Sequence, residues 1–292
     1  MSKPINPGRR ESFKKVLLGG AALGTLSSFE LNEKKNLPLK GNINHGVCLW
    51  SMRPLTLEEL CVGAKSLGIK GIDIIGPSTW DTLKKYDLEC SMCNGAEISI
   101  ADGWNDPKFH DQLVKNYLEI IPIVAKYGFK NLIAFSGNRR GMDDETGLEN
   151  CVTGLKKVLA EAEKHGVIIQ MELLNSKVDH KDYMCDKSPW GVELCKRLDS
   201  ENFKLLYDIY HMQIDEGDVI RTIRNNHQYF GHYHTAGNPG RNELDENQEI
   251  YYPAIMKAIV ETGYKGFVSH EFIPKSEDKL AALGQAVQVC DV

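Results

Sequence analysis

At 292 residues the chain is longer than most single domains, yet one (β/α) barrel alone uses about 250. Hydrophobic residues make up 42%, charged residues 26%, and the formal net charge is −5, which argues against a nucleic-acid-coating protein reliant on a basic surface. No apolar run reaches the ~20 residues needed to span a bilayer, and the chain is long enough to bury a core without disulfide staples.

The charge is uneven along the chain. Residues 1–35 hold seven bases against three acids, so the remainder carries a net −9. Within this head, RRESFKK precedes VLLGGAALGTLSS, a basic region followed by a short run of small and apolar residues, as in an export signal. Arg9 and Arg10 with Phe13 and Lys15 resemble a twin-arginine signal, although Phe13 stands one position further from the arginines than usual. Residues 1–40 are therefore expected to be a signal and linker, residues 41–292 the folded domain, and the location periplasmic. A cytoplasmic protein with an N-terminal extension is the alternative.

From residue 42 short apolar strands alternate with amphipathic stretches. NHGVCLW (44–50) reads as a strand, then 55–68 as a helix, GIDII (71–75) as a strand and 80–86 as a short helix. LECSMCN (88–94) is a strand, 107–128 a long helix, NLIAFSG (131–137) a strand and 145–165 a helix ended by Gly166. VIIQMEL (167–173) is followed by a longer insertion, a helix over 189–198, the strand FKLLYDI (203–209) and a helix near 217–226. YFGHYHTAG (229–237), a helix over 252–263, GFVSHEF (266–272) and a terminal helix over 276–290 complete the series. Eight strand–helix units in about 250 residues predict an α/β fold, a single-domain (β/α)8 TIM barrel. The open doubly wound sheet loses its support, because no G-x-G-x-x-G follows the first strand and no P-loop is present.

Eight cysteines in an exported chain raise the question of disulfides. Cys90 and Cys93 form a C-x-x-C, but in a strand residues three apart are separated by ~10 Å, too far for a bridge. Cys48 falls in a strand, and Cys61, Cys151 and Cys195 in helical patterns. Buried free thiols are expected.

In such barrels the active site lies at the C-terminal ends of the strands. Glu172, Asp208, His234 and Glu271 stand at the ends of the fifth to eighth strands, spaced by 36, 26 and 37 residues, about one βα unit each. Any one of them reads equally as a solvated charge or loop cap. Together, three carboxylates and an imidazole on neighbouring strands suit one divalent cation such as Mn²⁺, Mg²⁺, Co²⁺ or Zn²⁺, without which the carboxylates would repel one another.

The segments ELLNS (172–176), YDIYHMQ (207–213), GHYHTAGNPGR (231–241) and SHEFIP (269–274) resemble the hydroxypyruvate isomerase branch of the xylose-isomerase-like TIM barrels. The resemblance extends over most of residues 42–290. It implies Glu172, Asp208, His234 and Glu271 as metal ligands, Glu172 and Glu271 as the pair that removes and returns a proton, and His211 as a substrate-binding residue. The hydroxypyruvate isomerase pattern usually carries Gln where His234 stands, whereas ketose epimerases carry His.

The implied reaction is isomerisation of a small hydroxycarbonyl compound through an enediolate, most like hydroxypyruvate to tartronate semialdehyde. Ketose 3-epimerisation is the alternative, as is an exported keto-glycoside-processing lyase or hydrolase on the same site. An endonuclease of the wider family is disfavoured by the net −9 and by strands two to four ending without histidine. A noncatalytic sugar-binding barrel would leave the two glutamates without a purpose.

Arg241 in NPGR has a fork suited to a substrate carboxylate, or it is an exposed loop arginine. Trp50 and Trp104 are either sugar-facing walls or ordinary packing, and Glu97, Asp102, Arg139 and Arg140 read as loop charges. His232 shares a face with His234 and lies one layer deeper, as a satisfied barrel histidine. The expected partners are a small sugar or hydroxy-keto acid and a divalent cation, with no nucleic acid and no membrane span in the mature form. A homo-oligomer is left open.

Overall fold

A computed structural model describes residues 38–292. Most of the expected signal-and-linker span lies outside the described residues. Of its last three positions, Leu39 packs against the core and the Lys40 backbone N–H donates to the Asp291 carboxylate.

The strands are β1 (Asn44–Cys48), β2 (Gly71–Ile75), β3 (Glu89–Cys93), β4 (Asn131–Ala134), β5 (Ile168–Leu173), β6 (Phe203–Asp208), β7 (Phe230–Thr235) and β8 (Phe267–His270). They pair in sequence order, all parallel, and β8 closes on β1. The helices are α1 (Leu57–Ser66), α2 (Trp80–Lys85), α3 (His110–Lys126), α4 (Asp144–His165), α5 (Ser188–Leu198), α6 (Ile209–Asp215), α7 (Val219–Asn226), α8 (Tyr252–Glu261) and α9 (Lys279–Cys290). The expected eight-stranded barrel is the observed one. Among the described residues no helix is long and apolar enough to cross a membrane.

Local chemistry sets the boundaries. Thr56 accepts from the Glu59 backbone N–H, and the Glu59 side chain accepts in return from the Thr56 N–H, a capping box that starts α1. Asp143 and Asp278 cap α4 and α9 in the same sense, and α4 ends where Gly166 turns left-handed at φ 65°. Helix α6 is an addition to the sequence reading, which runs the strand on to residue 209. Asp208 instead accepts from the His211 backbone N–H at 3.2 Å, so the last residue of β6 is also the cap of a helix.

The sheet is irregular where it matters for the site. The β2–β3 register shifts between Ile72 and Asp73 and again between Asp73 and Ile75. Ile74 sits at φ 55°, a backbone state that a β-branched residue avoids. This bulge accompanies a buried carboxylate, Asp73, in an otherwise apolar strand.

All eight cysteines are free and buried, as expected. Trp104 is fully buried against His110 and Tyr117, so its role is packing. It is placed there by Gly103, where a Cβ would run into the backbone of Phe135, Ser136 and Gly137. Because that obstacle is backbone, the Gly103→Ala substitution should cost about 1–3 kcal/mol and lower the midpoint of thermal unfolding. An unchanged melting temperature would contradict this packing.

Candidate functional site

The four strand-end residues meet. One ligand atom each from Glu172, Asp208, His234 and Glu271 lies within 4.8 Å of the others, and all four side chains are buried. From His234 Nδ1 the distances are 2.9 Å to Glu271 Oε2, 3.4 Å to Glu172 Oε1 and 3.9 Å to Asp208 Oδ2. Glu271 stands one residue beyond β8, and its backbone N–H bonds to the Thr235 carbonyl, which ties the end of β8 to the end of β7.

The opposite edge of the His234 ring explains its orientation. Nε2 lies 3.0 Å from Asp73 Oδ2, and the same carboxylate oxygen is 2.6 Å from His232 Nε2. The other Asp73 oxygen accepts from the Ser91 hydroxyl. Burial alone would raise the Asp73 pKa, but its histidine partners hold it well below the usual carboxylate range. An ionised Asp73 can only accept, so His234 donates Nε2–H and turns Nδ1 toward the three carboxylates.

That arrangement fits a cation. Glu172 Oε1, Asp208 Oδ2 and His234 Nδ1 are buried with no hydrogen-bond partner in the protein. A lone pair facing three carboxylate oxygens is electrostatically unfavourable unless a proton or a cation sits among them. Two glutamates, an aspartate and an imidazole are oxygen and nitrogen donors that divalent first-row ions and Mg²⁺ accept. An imidazole with its second nitrogen on a carboxylate is the arrangement that orients metal-bound histidines. Without a cation, the charge of Glu271 leads the groups that hold His234 protonated despite its burial, well above its ordinary range. Burial, reinforced by Glu271 and Glu172 and opposed by Arg241, pushes Asp208 up to about 7.

The two glutamates differ. Both Glu271 oxygens are engaged, Oε1 by Trp50 Nε1–H at 2.8 Å and Oε2 by Arg241 Nη2 at 2.5 Å. Burial opposes its ionisation, yet the charges of His234 and Arg241 keep its pKa well below the normal value. Glu172 keeps Oε1 free, and burial raises its pKa.

Arg241 is no exposed loop arginine. At φ 58° it turns back over the barrel mouth, with its guanidinium carbon 5.1 Å from the Trp50 ring centroid and 5.5 Å from that of Tyr210. Its Nη2 also lies 3.6 Å from Asp208 Oδ2, and its Nε is buried without a partner. His211 is fully buried beside Asp208, with Nε2 at 3.6 Å from Asp208 Oδ2. Trp50 therefore belongs to the site. Arg139 pairs with Asp144 and Asp186, Arg140 with Asp102 and Asp106, and Glu97 accepts from the Gly95 N–H, all as loop charges.

Asp73 and Asn175 are the site residues that sequence reasoning passed over. The available signal for Asp73 was a lone acid inside the apolar strand GIDII. Asn175 lay within ELLNS but carried no role there.

Residues 64–290 match the xylose isomerase-like TIM barrel family. The chain belongs to this family. Its family relatives include the 2-oxo-tetronate isomerase of Cupriavidus necator, 31% identical over 131 residues, which are 45% of this chain and 48% of that protein. A putative hydroxypyruvate isomerase of Danio rerio is 29% identical over 124 residues, 42% and 45% of the two chains. The D-psicose 3-epimerase of Ruminiclostridium cellulolyticum is 31% identical over 130 residues, 44% and 43% of the two chains. The chain spans just under half the length of each of these relatives.

Two outcomes follow from the proton balance. Cation binding must displace the proton on His234 and the one that Asp208 carries below about 7, so affinity for Mn²⁺ should rise as pH increases through 7 and level off above the folded-state pKa values. Calorimetric titration in buffers of different ionisation enthalpy should register the release of about one proton or more, and no release would contradict the assignment. Asp73→Asn should weaken Mn²⁺ binding about 10–100-fold with the barrel still folded by circular dichroism. Unchanged affinity would remove Asp73 from the site.

Proposed function

We propose that this chain is a divalent-cation-dependent isomerase of small α-hydroxycarbonyl compounds, with hydroxypyruvate-like keto acids as its substrate class. The observation that carries this reading is the convergence of unpartnered Glu172, Asp208 and His234 atoms on one point, beside Glu271 and beneath Arg241. The family relatives named 2-oxo-tetronate isomerase and putative hydroxypyruvate isomerase support it.

A divalent cation, which Glu172, Asp208, His234 and Glu271 would hold, would supply positive charge beside the substrate carbonyl and so make the neighbouring C–H more acidic. The protein's own groups do the rest. Glu172, through the oxygen that would not hold the cation, takes the proton from the carbon bearing the hydroxyl and delivers it to the former carbonyl carbon, while the hydroxyl proton passes to the former carbonyl oxygen. Glu271, clamped by Trp50 and Arg241, stays ionised and fixes the substrate's position. His211, buried and neutral, donates to the oxygen that gains negative charge. Arg241 Nε meets the substrate carboxylate, and the Trp50 and Tyr210 rings hold its guanidinium in place.

The inequality of the two glutamates favours one base that moves a proton between adjacent carbons. A ketose 3-epimerase is the second reading, favoured by the two glutamates at one cation and by the D-psicose 3-epimerase relative. The test is incubation of the Mn²⁺-loaded protein with hydroxypyruvate, or with a free ketose, in deuterated water. Hydroxypyruvate should take up solvent label and yield tartronate semialdehyde. Glu172→Gln should slow that uptake by about 10²-fold or more. Label uptake confined to the ketose with inversion at one carbon establishes the epimerase, and uptake at wild-type rate in Glu172→Gln contradicts the base assignment.

A further inference from the structure

The segment that follows β5 contains a buried amide whose orientation is fixed by the backbone. Asn175 is fully buried, and its Oδ1 accepts from the backbone N–H groups of Val178 at 3.0 Å and Asp179 at 2.9 Å. A flipped amide would place two donors against two donors, so the oxygen must face those N–H groups. The nitrogen then faces the other way, 2.7 Å from Asp179 Oδ2 and 2.6 Å from His211 Nδ1. Both of its hydrogens are spoken for: one goes to the carboxylate, the other to the imidazole.

An imidazole nitrogen that receives a hydrogen bond carries no hydrogen of its own. His211 Nδ1 is therefore the bare nitrogen, and the ring proton resides on Nε2. Asp179 cannot take over Nδ1, because its nearer oxygen is 3.9 Å away. His180 and Tyr210 flank the ring at centroid distances of 5.2 and 5.1 Å, which restrains it from turning over. Nε2 is buried, lacks a hydrogen-bond partner and lies toward Asp208, on the side where the cation ligands converge.

We propose that Asn175 is a positioning residue that locks His211 as a neutral Nε2–H donor aimed at the reacting oxygens, and so prevents it from acting as a base. The Asp179 carboxylate, through Asn175, holds the amide in the donating orientation. The benefit of this donor rests on the isomerase reading above. The tautomer does not, and it can be measured with no substrate present.

Long-range proton–nitrogen correlation spectra of the full-length chain, with the His211 signals assigned through a His211→Gln control, report which ring nitrogen carries hydrogen. The expected pattern is hydrogen on Nε2 alone across neutral pH; hydrogen on Nδ1, or on both nitrogens, overturns the proposal. Asn175→Asp keeps the size and the acceptor for the two backbone N–H groups but replaces the donor to Nδ1 with an acceptor. In that variant hydrogen should appear on His211 Nδ1, and kcat for hydroxypyruvate should fall about 10²-fold, as for loss of an oxyanion donor, with KM changed far less. Should that variant misfold, Asn175→Ser serves, with a mixed tautomer signal expected. An unchanged His211 signal in a folded variant overturns the proposal. Nε2–H in the wild type without solvent-label uptake by any hydroxycarbonyl substrate would instead overturn the isomerase reading and leave the tautomer assignment standing.

Discussion

An imidazole has one lone pair to offer, and in this barrel the Asp73 carboxylate determines which nitrogen of His234 keeps it. Asp73 lies below the rim, where it meets Nε2 of both His232 and His234. It thereby commits the His234 ring to present Nδ1 upward, into the ring of Glu172, Asp208 and Glu271 oxygens. Were Asp73 neutral or displaced, the histidine could turn its N–H toward the carboxylates and satisfy them itself. The buried acid costs desolvation, and the register shift and left-handed Ile74 beside it add strain. Both accompany a site whose ligand atoms could hold a cation.

The rim follows the same logic with different residues. Trp50 and Arg241 engage both oxygens of Glu271, leaving Glu172 as the glutamate with an unengaged oxygen. Asp208 divides its two oxygens, one capping α6 and the other facing the cluster. Asn175 sets His211 as Asp73 sets His234: both rings leave Nδ1 bare and carry hydrogen on Nε2, but His234 turns its lone pair to the site and His211 its hydrogen. Two imidazoles in one pocket thus acquire unlike chemistry from their hydrogen-bond partners.

Much of this was legible in the sequence because a parallel barrel repeats. Equal βα spacing put Glu172, Asp208, His234 and Glu271 at corresponding strand ends, and the structure brings them together. Cys90 and Cys93 read correctly as free thiols for the same reason, since they belong to a strand. The residues that escaped are those whose meaning depends on a neighbour far away in sequence. Asp73 is ordinary in GIDII until His232 and His234 stand opposite it across the barrel interior. Helix α6 was hidden because Asp208 is both the last strand residue and a helix cap, and apolar IYHM continues the strand pattern. Arg241 read as well in solvent as in the site, because only its left-handed backbone turns it over the mouth.

The claim on which the account stands is that one cation is held by Glu172, Asp208, His234 and Glu271, with His234 binding through Nδ1. Anomalous diffraction from crystals soaked in Mn²⁺ measures it directly. The account predicts a single strong peak about 2.0–2.3 Å from His234 Nδ1 and from one oxygen of each carboxylate, as first-row and related divalent ions bind such donors. A peak between Asp73 and His232 with none at the rim, or no peak at either place, would contradict it.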